Sequence, residues 1–290
     1  MNRRNLLKGA AAAAAALVFR PAFSRGVAGE TAAPRLAALE RRHGGRLGVA
    51  ILDTGDGRRV GHRADERFLM CSTFKLLAVA AVLARVDRGA ERLDRRIVFG
   101  KESVLAWAPV TSHRVGAPGM SVAELCEAAI TLSDNTAANL LLASMGGPAA
   151  VTSYARGLGD PLTRLDRIEP ELNVGAPGDL RDTTTPDAML ADLRALLLGN
   201  ALSVASRQQL IEWLRATRTG DHKLRAGVPG DWRVGDKTGS GAHGESNDVA
   251  IIWPPQRKPL LVAAYYAAPA LDDAGRNAVL AEVGRIAASI

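Results

Sequence analysis

Ser72-Thr73-Phe74-Lys75 sets a hydroxyl and an amine three residues apart, so on a helix they share one face. A serine hydroxyl is a poor nucleophile until a nearby base takes its proton. Residues 74–83 are almost continuously apolar, which predicts a buried helix. Burial favours the neutral form of a lysine, the form that can accept that proton. Roughly one such Ser–Lys spacing arises by chance in a chain of this size, so the pair alone decides nothing. Ser133-Asp134-Asn135 lies between two apolar helical segments. It can be a plain helix cap. It can also supply a hydroxyl proton shuttle in Ser133 and a substrate-binding amide in Asn135. Lys237-Thr238-Gly239, followed by Ser240, ends a C-terminal strand. A cation, a hydroxyl and a flexible edge there can hold an acylamide and a carboxylate. Glu169 and Asn173 stand four residues apart in a stretch rich in Pro, Gly and charge, and on one helical turn they could grip one water.

The elements that must position these residues follow from patterning. Helix 31–43 stops at Gly44-Gly45. Strands 47–52 and 58–62 flank the turn Asp53-Thr54-Gly55-Asp56-Gly57 as a hairpin. Helix 72–86 follows. Ser121 and Glu124 form a capping box that opens a helix running to about residue 132, and a further helix, 137–145, ends at Gly146-Gly147. Thr185-Pro186 opens a helix that ends near Gly199, and 206–216 is another. Strands 233–238, 248–253 and 260–267 precede a last amphipathic helix, 273–290. The expected fold is therefore α+β with two domains. An antiparallel sheet flanked by helices is assembled from both chain ends, 31–65 and 216–290, and 66–215 forms an inserted all-helical domain, with the active site at the interface.

The four strings, in this order, resemble the signature of the class A serine β-lactamases and their relatives, the penicillin-binding proteins. The resemblance runs from about residue 31 to residue 290. It implies that Ser72 is the acyl-ester nucleophile, that Lys75 assists its deprotonation and that Ser133 relays a proton to the leaving lactam nitrogen. Glu169 would activate the hydrolytic water with Asn173 helping to place it; this element is the one class A β-lactamases add. The backbone N–H groups of Ser72 and Ser240 would form the oxyanion hole, and Lys237 and Thr238 would hold the substrate carboxylate beside Gly239. Asn135 would touch substrate and Trp107 would stand at the rim. Many relatives add an arginine for that carboxylate. At the corresponding positions this chain has Lys223 and Ser246, and Glu245 close by could oppose an anionic substrate. By the same resemblance Cys71 and Cys126 would need cysteines at 241 and 79, where Gly241 and Val79 stand, so the disulfides of some relatives are not supported; the two thiols could pair with each other, but their apolar surroundings favour packing as free cysteines.

Composition limits the other readings. The chain has 290 residues, 47% hydrophobic, 23% charged and only 4% aromatic. That suits a globular core and argues against an aromatic platform for single-stranded nucleic acid. The formal charge of +7 overstates the basic character. Residues 1–24 carry Arg3, Arg4, Lys8 and Arg20 and no acid; without those four of the 37 basic side chains, 33 remain against 30 acidic ones. Arg3-Arg4, then Leu6-Leu7-Lys8 and an Ala-rich run read as a twin-arginine export signal with cleavage between 24 and 30, so residues 1–30 are set apart from the fold. His43, His62, His113, His222 and His243 show no metal-ligand spacing, and no metal or cofactor is expected. The implied partners are a small β-lactam and water, with no nucleic acid and no membrane for the mature chain, which is expected to be an exported monomer. A D,D-peptidase and a β-lactam sensor that stays acylated would use the same Ser72, Lys75 and Lys237. Only a β-lactamase needs Glu169.

Overall fold

Alternating apolar residues make β1 (Arg46–Asp53) two-faced, and the sheet inherits that division. The structure, a computed structural model, describes residues 27–176 and 178–290; residues 1–26 of the export segment read from the sequence lie outside them. β1 pairs with β2 (Arg59–His62) and with β9 (Leu260–Ala267), which pairs with β8 (Glu245–Trp253), which pairs with β7 (Arg233–Ser240). Every pairing is antiparallel, in the order β2-β1-β9-β8-β7. Leu47, Val49, Ile51, Ala250, Ile252, Val262 and Tyr266 face one apolar cluster, with α1 (Val27–His43) and α9 (Asp273–Ala288). Ala50, Leu52, Val249, Ile251, Leu261, Ala263 and Tyr265 face the other, which continues into the helices of the middle of the chain. Both faces are covered, which is why these strands are apolar almost throughout.

The middle of the chain is helical: α2 (Phe74–Asp87), α3 (Val122–Thr131), α4 (Asn135–Ser144), α5 (Ala149–Leu158), α6 (Pro186–Leu197), α7 (Val204–Arg215) and the single turn α8 (Leu224–Gly227). α2 is buried from Phe74 to Ala84 on every side, as a sequence apolar but for Lys75 requires. α3 starts at the expected capping box, with Ser121 and Glu124 exchanging hydrogen bonds. Two-residue strands pin the loops: β3 (Phe68–Leu69) on β6 (Thr183–Thr184), and β4 (Arg96–Ile97) on β5 (Met120–Ser121).

Several boundaries differ from the sequence expectation. Helix α1 begins at Val27, inside the span set apart as signal. Ser72 sits on a 3₁₀ turn, Cys71–Thr73, and the α-helix starts only at Phe74. β7 and β8 extend to Ser240 and back to Glu245, because the two strands stay paired through the Gly-rich edge. The two-residue strand pairs, α5 and α8 carry patterns too short or too weak to be read from sequence. Cys71 and Cys126 are buried free thiols. No described helix is long and apolar enough to cross a membrane.

Candidate active site

Gly239 explains how β7 reaches Ser72. A Cβ there would lie 2.8 Å from the Met70 carbonyl oxygen and 3.2 Å from the Ser72 nitrogen, so only glycine lets the strand edge press against the Cys71–Thr73 turn. Cys71 takes φ of +45°, and this kink turns Ser72 out at the head of α2. Ser72 Oγ donates to Glu169 Oε1 at 3.2 Å. The same carboxylate oxygen lies 3.0 Å from Lys75 Nζ, and both side chains are fully buried. Lys75 Nζ also donates to the Ser133 carbonyl at 2.8 Å and to Asn135 Oδ1 at 2.7 Å, and lies 3.3 Å from Ser133 Oγ. Burial pushes the Lys75 amine below its ordinary range, while the Glu169 carboxylate beside it acts in the opposite direction.

Ser133 has φ of +57° at the head of α4. Asp134 holds this turn: it accepts from Ala137 N as the helix cap and from Val110 N, Thr111 N and Thr111 Oγ1. Asp134 is thus the cap, while Ser133 and Asn135 on either side turn into the site. The same knot fixes the loop of Trp107, whose carbonyl accepts from Asn135 N and whose ring N–H donates to the Leu132 carbonyl. Trp107 is 55% exposed at the rim.

The Glu169 segment is tied at both ends. Glu169 N donates to Asn139 Oδ1 and the Glu169 carbonyl accepts from Asn139 Nδ2, at 2.9 and 2.8 Å. Asn173 Nδ2 donates to Glu169 Oε2, as their spacing suggested, across a 3₁₀ turn, Glu171–Asn173. Arg167 pairs with the buried Asp182, which also accepts from Asp166 N and Arg167 N.

Lys237 Nζ donates to Ser133 Oγ at 3.0 Å and to the Thr238 carbonyl at 2.8 Å. Burial, then repulsion from Lys75, holds its amine well below the ordinary lysine range. Ser133 Oγ therefore sits between two lysines. Lys223 Nζ reaches Ser246 Oγ at 2.9 Å and the Gly239 carbonyl at 3.3 Å; burial lowers it, and the Asp248 carboxylate opposes that shift.

A cleft of about 440 Å³ is lined by Ser72, Trp107, Ser133, Asn135, Asn173 and Lys223, and along the strand by Thr238, Gly239 and Ser240. Lys75, Glu169 and Lys237 lie just beneath these residues, as their hydrogen bonds require. Glu245 does not face this cleft. Side chains alternate along β8, so Ser246 turns to Lys223 while Glu245 lines a separate cavity with Val174, His243 and Tyr266. Thr219 and Asp273 line the cleft without having stood out in the sequence. Thr219 Oγ1 is 2.6 Å from Thr238 Oγ1. Asn139 was equally silent, although it lies one helical turn beyond Asn135 and so on the same face of α4.

Comparison with known proteins gives the same picture for the whole chain. The model of the "Beta-lactamase enzyme family" matches residues 31–290, and that of the twin-arginine translocation pathway signal sequence matches residues 1–19, so the chain carries an export signal. It is 48% identical over 296 residues to beta-lactamase L2 of Stenotrophomonas maltophilia, covering 98% of this chain and 97% of that protein. It is 49% identical over 252 residues to the carbapenem-hydrolyzing beta-lactamase KPC of Klebsiella oxytoca, covering 87% and 86%. The solved structure of an ancestral class A beta-lactamase, 65% identical, superposes with a TM-score of 0.86 over 88% of this chain and 98% of that one. With its α+β architecture and both sets of relatives in agreement, the chain belongs to the class A branch of the β-lactamase enzyme family.

Proposed function

We propose that this β-lactamase opens the lactam ring of penicillins and related antibiotics through a covalent ester on Ser72, and so confers resistance. The observation that carries the reading is the single carboxylate oxygen of Glu169 within hydrogen-bond reach of both Ser72 Oγ and Lys75 Nζ. In acylation the Ser72 proton passes to Glu169 as Oγ attacks the lactam carbonyl carbon. Glu169 is favoured over Lys75 as acceptor because Ser72 already donates to it, whereas the Lys75 amine is engaged by Ser133 and Asn135. The backbone N–H groups of Ser72 and Ser240 take the developing oxyanion, a contribution usually worth about 3–4 kcal/mol per donor. As the C–N bond breaks, the ring nitrogen takes the Ser133 hydroxyl proton. Lys75 replaces that proton and recovers one from Glu169; its lowered basicity suits a relay.

Glu169 is then ionised again. It and Asn173 hold a water, which loses a proton to Glu169 as its oxygen attacks the ester carbonyl. The C–O bond to Ser72 breaks, Ser72 Oγ is reprotonated, and the ring-opened acid leaves. Lys237, Thr238 and Lys223 bind the substrate carboxylate, and Asn135, Gly239 and Trp107 border the acylamide side chain. A peptidase or a sensor would need the nucleophile and lysines but no second base within reach of the ester, which is why turnover is the preferred reading.

We also read 31–65 with 216–290 as one α/β domain and 66–215 as a helical insertion, with the site between them. We read the mature protein as a monomer. The test is steady-state hydrolysis of a chromogenic cephalosporin by the mature protein. Turnover abolished by Ser72→Ala is expected; a parent protein with no turnover contradicts the proposal.

A further inference from the structure

Asp192 and Asp160 are buried carboxyl groups outside the cleft. Asp192, on α6, is 1% exposed, and its Oδ2 is buried with no hydrogen-bond partner among the described residues. Asp160 follows α5 and is 4% exposed. Its Oδ1 accepts from Leu162 N at 2.7 Å and Thr163 N at 3.0 Å. One oxygen of each carboxyl, Oδ2, is buried without a donor, and the two side chains lie within hydrogen-bond reach of each other. Two adjacent buried carboxylates cannot both be ionised. A proton shared between the two carboxyls turns one into a donor for the other, the partner that a buried carboxyl oxygen needs.

Its location follows from the surroundings. Asp160 has two backbone N–H donors, and the nearby Arg156 guanidinium bridges the Asp160 and Thr163 carbonyls. Those contacts favour the charged form. Asp192 lacks those two N–H donors, while the Arg156 guanidinium acts on Asp192 as well, against its upward shift. We infer that Asp192 is a protonated positioning residue whose O–H donates to Asp160 and closes the neck of the loop that carries Glu169. That neck is narrow: Thr163 Oγ1 is 2.6 Å from Thr184 Oγ1, and Arg164 N donates to the Thr183 carbonyl. The other ionisable groups facing Asp192 are Tyr154 and Arg156 of α5 and Tyr265 of β9. Burial, then the Asp160 carboxylate, pushes Asp192 up to about 9.

The catalytic consequence rests on reading Glu169 as the base; the shared proton does not. An unfolded aspartic acid titrates near pH ~3.9. As pH rises, the unfolded chain therefore loses this proton first. The stabilisation is complete below about pH 4 and drains away between about pH 4 and 9.

Asp192→Asn keeps an N–H donor for Asp160 and has no proton to lose. Its Tm relative to the parent should therefore climb by several degrees as pH rises through that window. An infrared carbonyl band of a protonated carboxylic acid at neutral pH should be present in the parent and missing in Asp192→Asn. Asp192→Leu removes the donor. It should speed hydrogen exchange at the Leu162 and Thr163 amides and lower kcat for penicillin, whereas Asp192→Asn restores both. If Asp192→Asn is instead less stable than the parent at neutral pH and the gap closes on acidification, or if the acid band is missing from the parent, Asp192 is ionised and the inference falls. An unchanged kcat in Asp192→Leu overturns the positioning role. Should Asp192→Leu not fold, the Tm series and the infrared band of Asp192→Asn still decide. Failure of the Glu169 reading would show in the catalytic behaviour of the Glu169 variant, and the Tm series does not depend on it.

Discussion

Lys223 carries a charge that the usual arginine would carry as a planar fork. A lysine offers a point charge, and here it is already fixed by Ser246 Oγ and two backbone carbonyls. A hydrogen bond to a charged group is worth about 1.5–3 kcal/mol. Lys223→Ala should therefore raise KM for carboxylate-bearing penicillins by about ten- to a hundredfold. kcat should move less, the pattern of binding lost equally from ground and transition states. Steady-state kinetics indistinguishable from the parent would leave the carboxylate to Lys237 and Thr238 alone. Asp273 shares the cleft with Lys223, yet nothing in its sequence context marked it, because only the packing of α9 against α8, beside β8 and β9, brings it there.

On the proposed mechanism, the element that most governs turnover is the segment between α5 and α6. It is held by Asp182, which is fully buried and accepts two backbone N–H groups besides the Arg167 guanidinium. Losing one partner of a buried pair typically costs about 3–5 kcal/mol. Asp182→Asn should lower both Tm and penicillin turnover, and a melting curve and kcat equal to the parent's would show that the pair does not hold the segment. Part of this element was legible in advance. Glu169 and Asn173 declared themselves by spacing. The rest was not. Asn139 clamps Glu169 through its backbone, and such a contact leaves no residue pattern. The strand pairs β3–β6 and β4–β5 are two residues long, shorter than any periodicity can register. The long strands and α2 were readable because their apolar runs are dictated by burial on both sides. Which way Glu245 turns was not legible, because one step along β8 reverses the face, and sequence alone did not fix that parity.

Across the whole molecule the central sheet belongs to both hydrophobic clusters at once. Val249 and Ile251 face one and Ala250 and Ile252 the other, and β1 from the start of the chain lies beside β9 from its end. Neither cluster can lose its wall without exposing the other. Unfolding followed by tryptophan fluorescence and by loss of activity should thus give coincident transitions. Two separated midpoints would mean that the helical part and the sheet part stand independently. The catalytic account is just as collective, because it makes one carboxylate serve Ser72, Lys75 and a water in turn. A general base contributes about 10²–10⁴-fold to ester hydrolysis. The most direct measurement is intact-mass spectrometry of Glu169→Ala after mixing with penicillin. The account predicts a mature chain carrying one penicillin on Ser72 that persists long after the parent has returned to its free mass. A Glu169→Ala protein that clears the adduct as fast as the parent would contradict it, and so would a parent that never clears it.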